Sequence, residues 1–187
     1  DKSIDAIICD LPYGTTACKW DSVLPFDKLW AEYERILKPN GVVVLFGAEP
    51  FSSLLRTSNL DWYKYDFVWI KSRPIGFMNV KKMPLKKIEL ISIFYNKQPT
   101  YNPQGVIRIN KKRTNDNSKN GNNKTGISGH NGGKMKGDYI QEYTNYPTQV
   151  LNFSSERGLH PTQKPIELME YLVKTYTNEG DTVLDNC

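Results

Sequence analysis

Two spacings of apolar residues alternate along this chain. Ile4 to Cys9 is short and almost continuously apolar, as expected of a strand buried on both faces. Phe26, Leu29, Trp30, Tyr33, Ile36 and Leu37 then recur at helical intervals, with Asp27, Lys28, Glu32, Glu34 and Arg35 between them. The spacing predicts an amphipathic helix over 26–37, opened by Pro25 and ended by "KPNG" at 38–41. "VVVLFG", Val42 to Gly47, is a second buried strand, so the three segments read as a βαβ unit with a parallel sheet. A short helix is expected over 50–57 and strands over 62–71 and 88–96. "SRPIGFMNVKKMPLKK" between those strands reads as loop or broken helix. Pro165 to Tyr176 is helical again, and Asp181 to Asp185 begins another strand.

One segment has no hydrophobic period. Residues 108–138 are rich in Asn, Gly and Lys, and carry eight basic residues against Asp116 and Asp138. Their net charge of +6 exceeds the +5 of the whole chain, so the basicity is local. Such a segment buries too little to order itself and is expected to be a mobile basic insertion in a single domain spanning 1–187. Its lysines suit phosphates and its asparagines suit base edges.

Other readings narrow the function classes. The chain's 187 residues are 39% hydrophobic and 24% charged, and no apolar run is long enough to cross a bilayer. Three cysteines without a CxxC pair, and only two histidines, argue against a disulfide framework or a metal centre and favour a reducing cytoplasm. The N-terminus shows no secretory pattern and no initiator Met, which suggests a processed, trimmed or partial chain.

Two stretches carry candidate chemistry. In "IICDLPYGTT", Asp10 ends the first strand, where ligands of open α/β sheets bind. Its carboxylate can accept from an exocyclic amine. Pro12 has no N–H and keeps Leu11 extended, so main-chain carbonyls can face the same amine. Tyr13 offers a flat face for a base, and Gly14 allows close approach. A plain turn explains the same four residues equally well. In "HPTQKPIELMEYL", Thr162 is a natural cap for the helix that Pro165 opens, and Lys164 adds charge where a helix N-terminus favours a carboxylate. An ordinary capped surface helix is the simpler reading of that stretch alone.

Together, and in this order, the segments resemble the DNA amino-methyltransferases that methylate adenine N6 or cytosine N4, in the arrangement that places the catalytic half first. Asp10 to Tyr13 resembles the catalytic tetrapeptide, with Leu11 in place of a more usual proline. "LKPNGVVVLFG", "DFVWIKSRPIGF", "HPTQKP" and "DTVLDNC" resemble the segments that follow it. The resemblance implies a Rossmann-like α/β methyltransferase sheet, mostly parallel with an antiparallel edge strand and an incomplete cofactor half. The glycines and ribose-binding acid expected after Cys187 are not in this sequence. The fragment alone is therefore expected to bind cofactor poorly and to be inactive.

The resemblance also implies roles. Asp10, Pro12 and Tyr13 would be catalytic, on a base swung out of duplex DNA. S-adenosylmethionine would be held by Asp10, Leu11, His160, Thr162, Lys164, Pro165, Asp185, Asn186 and Cys187. Lys71, Arg73, Lys111, Lys112, Arg113 and Lys124 would meet DNA. No metal and no membrane are expected, a homodimer is left open, and the setting implied is a bacterial or phage-infected cytoplasm. An acid at position 10 favours adenine over cytosine. A silent nucleic-acid-binding piece, or a methyltransferase acting on RNA or protein glutamine, are the competing readings. All of this requires Asp10 and Lys164 to face one hollow.

Overall fold

In the computed structural model, residues 1–14, 21–114, 138–156 and 163–187 are described. They form two compact units, one of residues 1–104 with 148–187 and one of residues 105–147. The larger unit is built on a six-stranded sheet in the order β7, β3, β4, β2, β1, β8. Its strands are β1 (Ile4–Cys9), β2 (Leu37–Gly47), β3 (Tyr63–Ile75), β4 (Lys86–Phe94), β7 (Val150–Phe153) and β8 (Val183–Leu184). Strand β1 pairs in parallel with β2 and β8, and β3 in parallel with β7, while β4 runs antiparallel to both β2 and β3.

The mostly parallel sheet agrees with expectation, but the reversed strand is interior rather than at an edge. The β3–β4 hairpin folds β4 back between β3 and β2. "IELISIF" suits that position, because Ile91, Ile93 and Phe94 are fully buried. The edge falls to β7, which has one buried side chain, Leu151, and is pinned where Trp69 Nε1 donates to the Phe153 carbonyl at 2.9 Å.

Alternation along β1 divides the core. Ala6 and Ile8 face one side with Leu168, Leu172 and Tyr176 of α3 (Ile166–Tyr176). Ile7, Cys9 and Leu11 face the other side with α1 (Phe26–Ile36) and α2 (Phe51–Ser58). The chain thus leaves β1 through α1 toward β2 and returns through α3, on the opposite face, to β8. That reversal lies between β1 and β8, the switch point at which open α/β sheets bind ligands.

Helix α1 is followed at once by β2, whose first residues include "KPNG", so the expected break is a continuous passage into strand. Helix α3 begins after Pro165 with no side-chain hydrogen bond from the cap residue; the Ile166 N–H donates to the Glu156 carboxylate at 3.2 Å. Thr162, the expected cap, lies outside the described residues.

The smaller unit contains an antiparallel ribbon of β5 (Ile107–Thr114) and β6 (Asp138–Thr144). Residues 108–114 and Asp138 were expected to be loop and are strand instead. Cross-strand pairs supply what the sequence period lacks: Arg108 faces Tyr143, Lys111 faces Gln141, and Lys112 forms an ion pair with Asp138 at 2.7 Å. The remainder of the expected insertion, 115–137, lies outside the described residues.

Candidate active site

The carboxyl end of β1 turns sharply. Gly14 has φ of +68°, and a Cβ there would meet Val23 Cγ2 at 2.9 Å, so the position is closed to a side chain in two ways. The Gly14 N–H donates to Asp21 Oδ1 at 2.8 Å, which ties the end of the tetrapeptide to the residues before α1. Leu11 is buried beneath the sheet tip, while Asp10, Pro12 and Tyr13 are partly exposed.

Asp10 and Lys164 meet. Lys164 Nζ lies 2.5 Å from Asp10 Oδ2 and 3.0 Å from Glu89 Oε1. Glu89, on β4, also holds Lys71 Nζ at 2.5 Å through its other oxygen. The Tyr13 hydroxyl is 2.5 Å from Asp10 Oδ1 and 3.0 Å from Glu89 Oε1, and its one proton serves one carboxylate at a time. Two carboxylates, two ammoniums and a phenol thus form one compensated network from separate parts of the chain.

The electrostatics follow from burial. Burial pushes the Glu89 carboxyl up, but Lys164 and Lys71 outweigh it and hold the group below the ordinary glutamate value. Burial drives the Tyr13 hydroxyl far above the ordinary tyrosine value, and the charges of Glu89 and Asp10 add to the shift. Tyr13 is therefore a neutral donor. Its ring stacks on Phe51, with centroids 5.0 Å apart and planes at 25°. Lys164 Nζ also lies 5.0 Å from the Phe46 ring centroid.

The tip of β8 adjoins this network. The Cys9 and Cys187 thiols are in contact across the ends of β1 and β8, and Asn186 Oδ1 accepts from the Tyr33 hydroxyl at 2.9 Å. Asp185, Asn186 and Cys187 are exposed. Cys9, Asp185 and Cys187 bring their ligand atoms within 4.8 Å of one another, a grouping that neither a CxxC pair nor a histidine cluster announces in the sequence. Burial pushes both thiols above the ordinary cysteine value.

The other expected site residues are distributed unevenly. Pro165 is buried at the start of α3. Lys71, expected on DNA, is instead drawn inward by Glu89, with its side chain 18% exposed. Arg73 is exposed. Lys111, Lys112 and Arg113 are exposed on β5 of the smaller unit, and the Arg113 Nε donates to Gln141. His160, Thr162 and Lys124 lie outside the described residues. Glu89 was not anticipated. A single acid inside the apolar run "KIELISIF" was the available signal.

Sheet order and helix placement define a Rossmann-like α/β scaffold with an acid at its switch point. The chain belongs to the DNA methylase family of N6 and N4 amino-methyltransferases, whose model matches residues 4–186. It is 30% identical over 198 residues to the type II methyltransferase M.HpaI of Haemophilus parainfluenzae. That match covers 99% of this chain and 57% of the relative, so the chain spans little more than half of that protein. Among solved structures, M1.HpyAVI in complex with SAM superposes with a TM-score of 0.56 at 25% identity, covering 97% of this chain and 71% of the other. A second M1.HpyAVI structure, at 18% identity and a TM-score of 0.54, shares the fold.

Proposed function

We propose that this chain carries the base-methylating site of a DNA adenine N6-methyltransferase. The supporting observation is the meeting of Asp10, Tyr13 and Lys164 at the switch point of the sheet. Asp10 accepts from the exocyclic amine of an extruded adenine, and a carbonyl of Leu11 or Pro12 accepts its second N–H. With both N–H groups held, the nitrogen lone pair is oriented toward the electrophile, so catalysis is positioning and polarisation without a protein nucleophile.

The residues suit S-adenosylmethionine, which supplies the electrophilic methyl group when bound. Lys164 is a partly buried ammonium matched to its carboxylate, and Asp185, Asn186 and Cys187 form an exposed wall beside β1. The Ile166 N–H is already taken by Glu156, which leaves Lys164 as the stronger anchor among the described residues. Each Asp10 oxygen has one partner in the free site, Tyr13 on Oδ1 and Lys164 on Oδ2, and keeps acceptor capacity for the amine.

Asp10 supports adenine over cytosine. Lys111, Lys112 and Arg113 are retained as DNA contacts by their charge and exposure. Because the chain spans 57% of M.HpaI, the test uses the whole product of the gene. The protein is given duplex DNA and methyl-labelled S-adenosylmethionine, and the DNA is digested to nucleosides. Label in N6-methyl-2′-deoxyadenosine is expected. Label in N4-methyl-2′-deoxycytidine would overturn the choice of base, and label only in offered RNA or protein would overturn DNA as substrate.

A further inference from the structure

The β3–β4 connection is at the same end of the sheet as Asp10, because β3 runs parallel to β1 and β4 returns from that end. Residues 72–88 contain Arg73, Lys81, Lys82, Lys86 and Lys87 and no acid. Interleaved with those cations, Met78 is fully exposed, Phe77 is 64% exposed, and Val80 and Met83 are at least half exposed. Four exposed apolar side chains on one short connection point to a contact surface.

The loop is shaped beforehand. Gly76, at φ of +93°, turns the chain into a short 3-10 helix over Phe77–Asn79. The Asn79 N–H donates to the Gly76 carbonyl at 3.0 Å, and the Lys82 N–H to the Asn79 carbonyl at 2.8 Å. The backbone therefore satisfies itself while the side chains face outward. Its return strand leads straight to Glu89, which touches Tyr13 and Lys164. An occupant of this loop would lie beside the candidate active site.

We propose that residues 75–88 form a DNA-docking finger, in which the lysines neutralise phosphates and Phe77 and Met78 press into the stack beside the extruded base. This rests on the reading of the chain as a DNA methyltransferase. Duplex DNA fits both halves of the pattern, since its backbone answers a purely positive loop and an opened stack answers an apolar wedge. Filling the gap left by the base offsets part of the cost of unstacking.

The test is fluorescence anisotropy of the full chain with a short mixed-sequence duplex, and with the same duplex carrying one abasic gap, across a salt series. Wild type should prefer the gapped duplex. K81A/K82A/K86A/K87A should flatten the salt dependence by about 0.9 in log–log slope for each phosphate that is no longer neutralised. F77A/M78A should keep the wild-type slope and lose the preference for the gap. All these positions are exposed, and melting temperatures near wild type will show that the variants fold. An unchanged slope in the lysine variant, or no gap preference in wild type, overturns the finger while leaving the DNA reading intact. Absence of duplex binding by wild type, with binding to phosphatidylserine vesicles, overturns both.

Discussion

Lys164 stands between two carboxylates, and Glu89 is the more deeply buried of them, at 5% side-chain exposure against 32% for Asp10. Glu89 also neutralises Lys71, so it is a positioning residue for both ammoniums. Glu89→Gln keeps the shape and leaves two poorly solvated cations, a change expected to cost about 3 kcal/mol in denaturant unfolding at neutral pH. The sign with pH is fixed. The folded Glu89 value lies below its ordinary 4.5, so its stabilisation is complete above 4.5 and disappears as pH falls through the lower folded value. The gap between wild type and E89Q should therefore narrow in acid, and a constant gap would contradict the network. Asp10, Tyr13 and Lys164 were legible in sequence because a tetrapeptide and a helix-start motif flagged them. Glu89 was not, because its meaning depends on Lys71 and Lys164, 18 positions before it and 75 after it, converging on one point.

At the scale of elements, α3 matters most because Lys164 leads into it. The helix is held at both ends by side chains distant in sequence. Glu156 takes the Ile166 N–H, and the Asn102 amide donates to the Lys174 and Thr177 carbonyls at 3.2 and 3.0 Å. Asn102→Ala should cost about 1 kcal/mol by removing the donor to the Thr177 carbonyl, while Gln104 Nε2 still donates to the Lys174 carbonyl at 3.3 Å. Urea unfolding will measure it, and an unchanged midpoint would show that water replaces Asn102 without penalty. The long periodic elements were visible in the sequence: α1, α3, β1, β2, β3 and β4 each show an apolar run or stripe. Strand β7 escaped notice because four residues with one buried side chain carry no period, and its place is set by pairing with β3. The β5–β6 ribbon was hidden in the same way, since its strands are mostly polar and exposed.

Across the whole molecule, the sheet order explains why residues from positions 10, 89 and 164 share one site. Only a chain that leaves β1 on one face and returns to β8 on the other brings the β1 tip and the start of α3 together. The parallel sheet was readable from the βαβ pattern. The interior position of β4 was not, because hairpin insertion is a property of topology rather than of local pattern. On the proposed reading, the β3–β4 loop and the β5–β6 ribbon are separate candidates for contact with DNA.

On the proposed reading, Asp10 accepts a hydrogen bond from the target amine while other groups hold the DNA. The direct measurement is methyl transfer and duplex affinity for Asp10→Ala, side by side in the whole gene product. Transfer is expected to fall by at least the ~100-fold typical of removing a transition-state hydrogen-bond partner, while duplex affinity stays within a few-fold of wild type. Transfer at the wild-type rate without that carboxylate would contradict it.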